Sequence, residues 1–65
     1  MTKVEAIEKM RGGAKMTHTH FSPNEWITVV GIMVFTEDGY SISIGDFFKY
    51  RSDESWAIGW SEWES

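Results

Sequence analysis

A chain of 65 residues with no cysteine has few ways to build a stable fold. A domain of this size buries only about 60% of the surface that its unfolded chain exposes, so its core is small. Small domains usually add disulfides, a metal or a partner subunit. The lack of cysteine excludes the first, and two histidines, His18 and His20, are too few for a structural zinc site. We therefore expect one domain, residues 1–65, that is reinforced by homo-oligomerisation.

Four tryptophans and a net charge of −4 indicate how such a chain could act. Aromatic side chains bury large areas and are enriched at the centres of binding surfaces. The negative charge argues against direct nucleic-acid binding and against attraction to anionic membranes. No apolar run approaches the ~20 residues that span a bilayer, and the N-terminus lacks the apolar core of a signal peptide. These features favour a cytoplasmic binding protein without a cofactor.

The pattern of apolar residues predicts a small α+β fold. Thr2 and Glu5 have the spacing of a capping box that begins a short N-terminal helix, and Gly12-Gly13 ends it. Gly31 predicts a bulge or a sharp bend, and Asp38-Gly39 predicts a hairpin turn. Strands of an antiparallel β-sheet are expected over residues 15–20, 26–30, 32–36, 40–44 and 59–63.

The connections between these strands have their own signals. Residues 22–25 combine a capping serine, a proline and a glutamate, which predicts one helical turn or a tight connection. Residues 46–51 predict a second short helix before the last strand, and residues 52–55 a polar connection.

The sequence contains no recognisable catalytic motif. Serine, histidine and aspartate all occur, but no spacing places them together as a triad. Asp53 and Glu54 adjoin each other, which is typical of a solvated acidic turn and not of paired general acid and base. His18 and His20 would project from one side of a strand, yet they need a third ligand to hold a metal. We therefore expect neither an enzyme nor a metal site.

Aromatic and polar residues able to recognise a flat, charged molecule occur together along the chain. Aromatic faces stack on nucleobases with about 1–3 kcal/mol per base, and an arginine offers a planar fork for phosphate. The same tryptophans could instead form the core of so small a domain. The candidate ligand-binding residues are His18, Phe21, Asn24, Trp26, Arg51, Asp53, Trp56 and Trp60.

The order of these signals resembles small phage proteins of the Thoeris anti-defence two group. The resemblance is carried by residues 4–10 (Val-Glu-Ala-Ile-Glu-Lys-Met), by Gly13 and Lys15, by His18 and Phe21 before Trp26-Ile27, and by the closing Gly59-Trp60-Ser61. It spans most of the chain. The chain is shorter than that group between Val30 and Asp46, and it has His18 where the group usually has a basic residue.

This resemblance implies a phage-encoded protein that sequesters an immune signal in the infected host cell. The signal would be a cyclic nucleotide, either of the cyclic ADP-ribose type or a cyclic dinucleotide, held by a homo-oligomer without catalysis. Two alternatives remain open. The acidic residues among the C-terminal tryptophans could inhibit a host defence effector in the manner of an anti-CRISPR protein, or the tryptophans could only join subunits.

Overall fold

The structure, a computed structural model, describes residues 1–64 and confirms the small α+β fold. Its five strands form one antiparallel sheet in the order β4-β3-β2-β1-β5. None of the helices in the described residues is long and apolar enough to cross a membrane. The elements in chain order are α1 (Lys3–Arg11), β1 (Met16–His18), β2 (Ile27–Val30), β3 (Met33–Thr36), β4 (Ser41–Ser43), α2 (Ile44–Lys49), α3 (Glu54–Ala57) and β5 (Trp60–Glu62).

The predicted capping box begins α1. The Thr2 hydroxyl accepts the Glu5 N–H at 3.2 Å, and the Glu5 carboxylate accepts the Thr2 N–H at 3.0 Å. Two of the four free N–H groups at the helix start are satisfied in this way. Ala6 and Met10, four residues apart on one side of the helix, are both fully buried against the sheet. This packing stabilises a helix that would be too short to persist alone.

Two tight hairpins set the register of β2, β3 and β4. Val30 pairs with Met33, so Gly31 and Ile32 form a two-residue turn. Gly31 has a φ of 62°, and positive φ at the first turn position alone matches a type II′ turn, for which glycine is preferred. The structure thus contains the sharp bend at Gly31 and not a bulge. Gly39, with a φ of 90°, lies in the predicted turn between β3 and β4.

The sheet has one covered and one uncovered face. Paired residues of antiparallel neighbours point to the same side, so the register assigns each strand residue to a face. The core face meets all three helices through Ala6, Met10, Phe47 and Trp56. Its strand residues are Met16, His18, Ile27, Val29, Val34, Thr36, Ile42, Trp60 and Glu62. The outer face, which no described helix covers, carries Thr17, Thr28, Val30, Met33, Phe35, Ser41, Ser43 and Ser61.

Several predicted boundaries were wrong by one or two residues, and three of them change the element to which a residue belongs. β1 ends at His18, and His20 lies in a turn instead of the strand. Ile44 begins α2 instead of ending β4, because the Ser43 hydroxyl caps the helix by accepting the Asp46 N–H at 3.2 Å. The polar connection predicted at 52–55 is shorter than expected, since Glu54–Ala57 form one helical turn. The tight connection at 22–25 is present, closed by a 3.0 Å bond from the Glu25 N–H to the Ser22 carbonyl oxygen.

Candidate functional site

Five rings from distant parts of the chain meet at one end of the core face. We call His18, His20, Phe21, Trp56 and Trp60 the aromatic cluster. The His18 and Trp56 rings stack with centroids 4.4 Å apart and planes at 28°. Phe21 lies 5.8 Å from Trp56 and 5.9 Å from Trp60. β1 supplies His18, the turn after it supplies Phe21, and α3 and β5 supply the indoles.

His18 is a buried, fully hydrogen-bonded member of the cluster. Only 3% of its surface is exposed. Its Nδ1 atom accepts the backbone N–H of His20 at 3.1 Å, so Nδ1 carries no proton in this arrangement. Its Nε2 atom lies 2.7 Å from the carbonyl oxygen of Ile58 and must donate to it. These two bonds fix the tautomer and use both ring nitrogens, so His18 acts structurally within the single chain.

Trp60 forms the other half of the buried floor of the cluster. It is 3% exposed and belongs to the hydrophobic core. Its indole N–H donates to the carbonyl oxygen of Trp56 at 2.8 Å. It also lies opposite His18 in the pairing of β1 with β5, with ring centroids 4.8 Å apart. Neither Trp60 nor His18 therefore offers a free ring face to a ligand of the single chain.

The rim of the cluster is more open. Phe21 and Trp56 are half-buried, and His20 is exposed with its ring 5.1 Å from Trp56. The Arg51 guanidinium lies 4.2 Å from the centroid of Phe47 and 5.5 Å from that of Trp56. Its Nη1 atom donates to the carbonyl oxygen of Phe47 at 3.0 Å. Aromatic and cationic groups therefore lie side by side at this rim.

One Arg51 atom is left without a partner. Its buried Nε has no hydrogen-bond acceptor among the described residues. A buried donor without an acceptor costs about 1–3 kcal/mol, and arginine has five N–H groups in a fixed fork. The guanidinium thus retains hydrogen-bonding capacity while its plane is held by the neighbouring rings.

The other predicted site residues lie elsewhere or on the surface. Asn24 is exposed in the turn at 22–25. Asp53 is exposed just before α3, where its carboxylate accepts the Ser55 hydroxyl at 2.7 Å. Trp26 immediately precedes the core-facing Ile27, so the alternation of strand side chains directs its ring to the outer side of the sheet. The structure therefore brings together His18, Phe21, Arg51, Trp56 and Trp60, but separates Trp26 from them.

Trp26 instead meets two residues that the sequence analysis did not include in the site. Its ring centroid is 5.9 Å from that of Trp63, and the Lys15 ammonium lies 4.4 Å from the Trp26 centroid and 5.9 Å from that of Trp63. We call Trp26 and Trp63 the outer tryptophan pair, and Lys15 lies against both of its rings. In the sequence, the alternation along residues 59–63 already put Trp63 on the side opposite Trp60. That pattern was the signal that could have identified a second aromatic group.

The surface formed by residues 1–64 has no pocket, so any ligand of the single chain would bind at the surface. The same residues contain no group of three histidine, aspartate or glutamate side chains close enough to hold a metal. The rim of the aromatic cluster can stack against a flat ring and donate hydrogen bonds from Arg51 to an anion. No family model, curated protein or solved structure matches this chain.

Proposed function

We propose that this domain sequesters a cyclic nucleotide signal at the rim of the aromatic cluster, without catalysis. The base would stack on the half-buried Trp56 and Phe21, and a phosphate would accept hydrogen bonds from Arg51. The resemblance to the Thoeris anti-defence two group supplies the ligand class, a cyclic ADP-ribose-type molecule or a cyclic dinucleotide. In that role the protein would be phage-encoded and would act in the cytoplasm of the infected cell.

The observation that carries this proposal is the position of Arg51 beside Trp56. A guanidinium held over a half-exposed indole combines a stacking surface and a phosphate donor within a few ångströms. Arg51 has five N–H donors in a fixed fork, and the bond to the Phe47 carbonyl oxygen is made from its Nη1 atom. Sequestration requires affinity and abundance only, which suits a surface that holds rings and a cation.

Self-association is the second part of the proposal, and it concerns the outer face of the sheet, on the side opposite the nucleotide site. The hairpin of β2 and β3 presents exposed apolar side chains, which we call the hairpin patch: Val30 and Phe35 on the outer face and Ile32 in the turn. The occupant we propose is a second copy of this chain. None of the strand residues on the outer face is acidic, so two chains of net charge −4 can meet there without opposing carboxylates.

A thermal-shift panel tests the nucleotide proposal. The protein is melted alone and with cyclic ADP-ribose, cyclic dinucleotides and the linear nucleotide ADP. A ligand at one hundred times its Kd stabilises a folded protein by about 2.7 kcal/mol, a shift that such an assay detects easily. We expect at least one cyclic nucleotide to raise the Tm.

A pair of arginine variants locates the effect. Arg51→Gln should abolish the nucleotide-dependent rise, because it removes the planar donor beside Trp56. Arg11→Gln, an identical charge change at the exposed end of α1, should retain it. No rise with any nucleotide, or an equal loss in both variants, would contradict the proposal.

A second candidate function, inhibition of a basic host effector, is favoured by the distribution of charge. The acidic residues Glu37, Asp38, Asp53, Glu54 and Glu64 are exposed. Most basic side chains are already engaged by neighbours: Lys3 over Phe48, Lys15 over Trp26, Lys49 over Tyr50, Arg51 over Phe47, and Lys9 with Glu62 at 3.2 Å. Such a surface would favour a partner with a basic nucleic-acid groove.

Binding to a purified nucleic-acid-binding defence effector distinguishes the two functions. The inhibitor role predicts a complex that weakens as salt screens the exposed charges, and that weakens further in the variant Asp53→Asn/Glu54→Gln. Glu8→Gln, an exposed carboxylate on α1, is the matched control. A complex with an effector in the absence of any nucleotide-dependent stabilisation would favour inhibition over sequestration.

A further inference from the structure

The outer tryptophan pair forms a wedge on the face of the sheet opposite the aromatic cluster. The Trp26 and Trp63 planes meet at 44° with centroids 5.9 Å apart, and both side chains are half-buried. Trp63 is fixed by two hydrogen bonds. Its backbone N–H donates to the Lys15 carbonyl oxygen at 2.9 Å, and its indole N–H donates to the Pro23 carbonyl oxygen at 3.1 Å. This wall of the wedge is therefore anchored by contacts that do not involve the Lys15 side chain.

The wedge already holds a cation of its own. The Lys15 ammonium lies within 6 Å of both indole centroids, the range in which a cation is attracted to the negative face of the ring. The Lys15 side chain is nevertheless exposed, and the ion pair found among the described residues joins Lys9 and Glu62 instead. Lys15 can therefore leave the wedge for water without breaking a salt bridge.

We propose that the wedge between Trp26 and Trp63 is a binding site for a quaternary ammonium group, occupied in the free protein by Lys15. A primary ammonium is compact and strongly hydrated, so it gains little by leaving water for a half-exposed indole. A quaternary ammonium carries methyl groups and no N–H donors, and aromatic walls are the usual means by which proteins recognise it. Exchange would return the Lys15 ammonium to water and place the less hydrated cation against the rings.

The charge of the protein supports this ligand class. The net charge of −4 attracts a cation to the chain. Thr17 and Ser61, the paired outer-face residues of β1 and β5, carry no charge that would oppose a cation. This site is independent of the nucleotide proposal, since it lies on the other side of the sheet.

Titration with tetramethylammonium chloride, followed by the indole N–H signals in a two-dimensional NMR spectrum, tests the inference. We expect the signals of Trp26 and Trp63 to shift and that of the buried Trp60 to remain. Sodium chloride at equal ionic strength is the control for screening. Choline and trimethyllysine amide follow as separate arms, which show whether a headgroup or a methylated side chain binds better.

The variant Lys15→Ala provides the decisive comparison. It removes the competing ammonium from an exposed position, so the fold is retained and tetramethylammonium should bind about two to five times more tightly. Lys3→Ala, which removes a lysine lying over Phe48, should leave the affinity unchanged. Shifts that sodium chloride reproduces, or equal affinity in Lys15→Ala and the wild-type protein, would overturn the inference.

Discussion

The imidazole of His18 is stacked on the indole of Trp56, with ring centroids 4.4 Å apart and planes at 28°. This contact joins β1 to α3, a single helical turn in which no residue is fully buried. His18 can hold this position because both its nitrogens are bonded, to His20 and to Ile58. The half-exposed Trp56 is therefore held in position by His18, which is buried and which a ligand of the single chain does not reach.

Replacing His18 should destabilise the fold far more than replacing His20. His18→Phe keeps a ring against Trp56 but leaves the Ile58 carbonyl and the His20 N–H without their partners. Each unsatisfied buried group costs about 1–3 kcal/mol in the free energy of unfolding, as measured by urea denaturation. His20→Phe, at an exposed position, should change it by less than about 0.5 kcal/mol. Equal effects would show that the two bonds of His18 are not structural.

Gly59 should tolerate alanine less well than Gly39, although the two have almost the same φ, 92° and 90°. Alanine at either position is strained by about 1–2 kcal/mol. At Gly59 the added Cβ would also lie 3.0 Å from Thr19 Oγ1 and 3.1 Å from His18 Nε2, whereas at Gly39 it meets nothing within 4 Å. Urea denaturation should therefore rank Gly59→Ala below Gly39→Ala in stability, and the reverse order would contradict the packing around His18.

The Glu5 carboxylate should make α1 sensitive to acid. Its hydrogen bonds from the Thr2 backbone and side chain hold its pKa below the ordinary value of 4.5. A carboxyl group with a lowered pKa in the folded state stabilises the protein above its unfolded pKa, and this contribution is lost as the pH falls through the folded pKa. Glu5→Gln can still form the capping box but does not titrate. Between neutral pH and pH values below 4.5, the wild-type protein should therefore lose more unfolding free energy than Glu5→Gln, and an equal loss would refute this role.

The hairpin patch should control self-association. Val30 and Ile58 are exposed to nearly the same degree, 65% and 63%, but only Val30 lies on the outer face of the sheet. If that face joins two copies, Val30→Lys should reduce the mass measured by light scattering to one chain, and Ile58→Lys should not. A wild-type mass of one chain would remove the oligomer from the proposal.

The sequence predicted the fold class because its strongest signals are local. The capping box at Thr2, the turn at Gly39 and the alternation around Trp60 each depend on a few neighbouring residues, and all three are present. The end of β1 could not be predicted in this way. Residues 15–20 alternate as a strand should, but the His18 ring accepts the His20 N–H and the Thr19 N–H donates to Gly59, which turns the chain. That turn depends on a partner about 40 residues away.

Only part of the candidate site could be predicted, because the rest depends on contacts between distant residues. Residue types identified Arg51 and the tryptophans, yet the sequence did not reveal that Trp60 is core while Trp56 is half-exposed. It also grouped Trp26 with them, although the side of the sheet on which a ring lies depends on strand register. The sequence did not identify Trp63 and Lys15 as neighbours of Trp26, because the three residues meet only when β2, β1 and β5 are paired.

An NMR titration of the labelled protein with a cyclic ADP-ribose-type nucleotide tests the central claim most directly. We expect the Trp56 indole N–H and the Arg51 Nε–H signals to shift together and saturate, the Trp63 signal to stay in place, and the signals of the ligand to show no conversion to product. Unchanged Trp56 and Arg51 signals at saturating nucleotide, or the appearance of a reaction product, would contradict it.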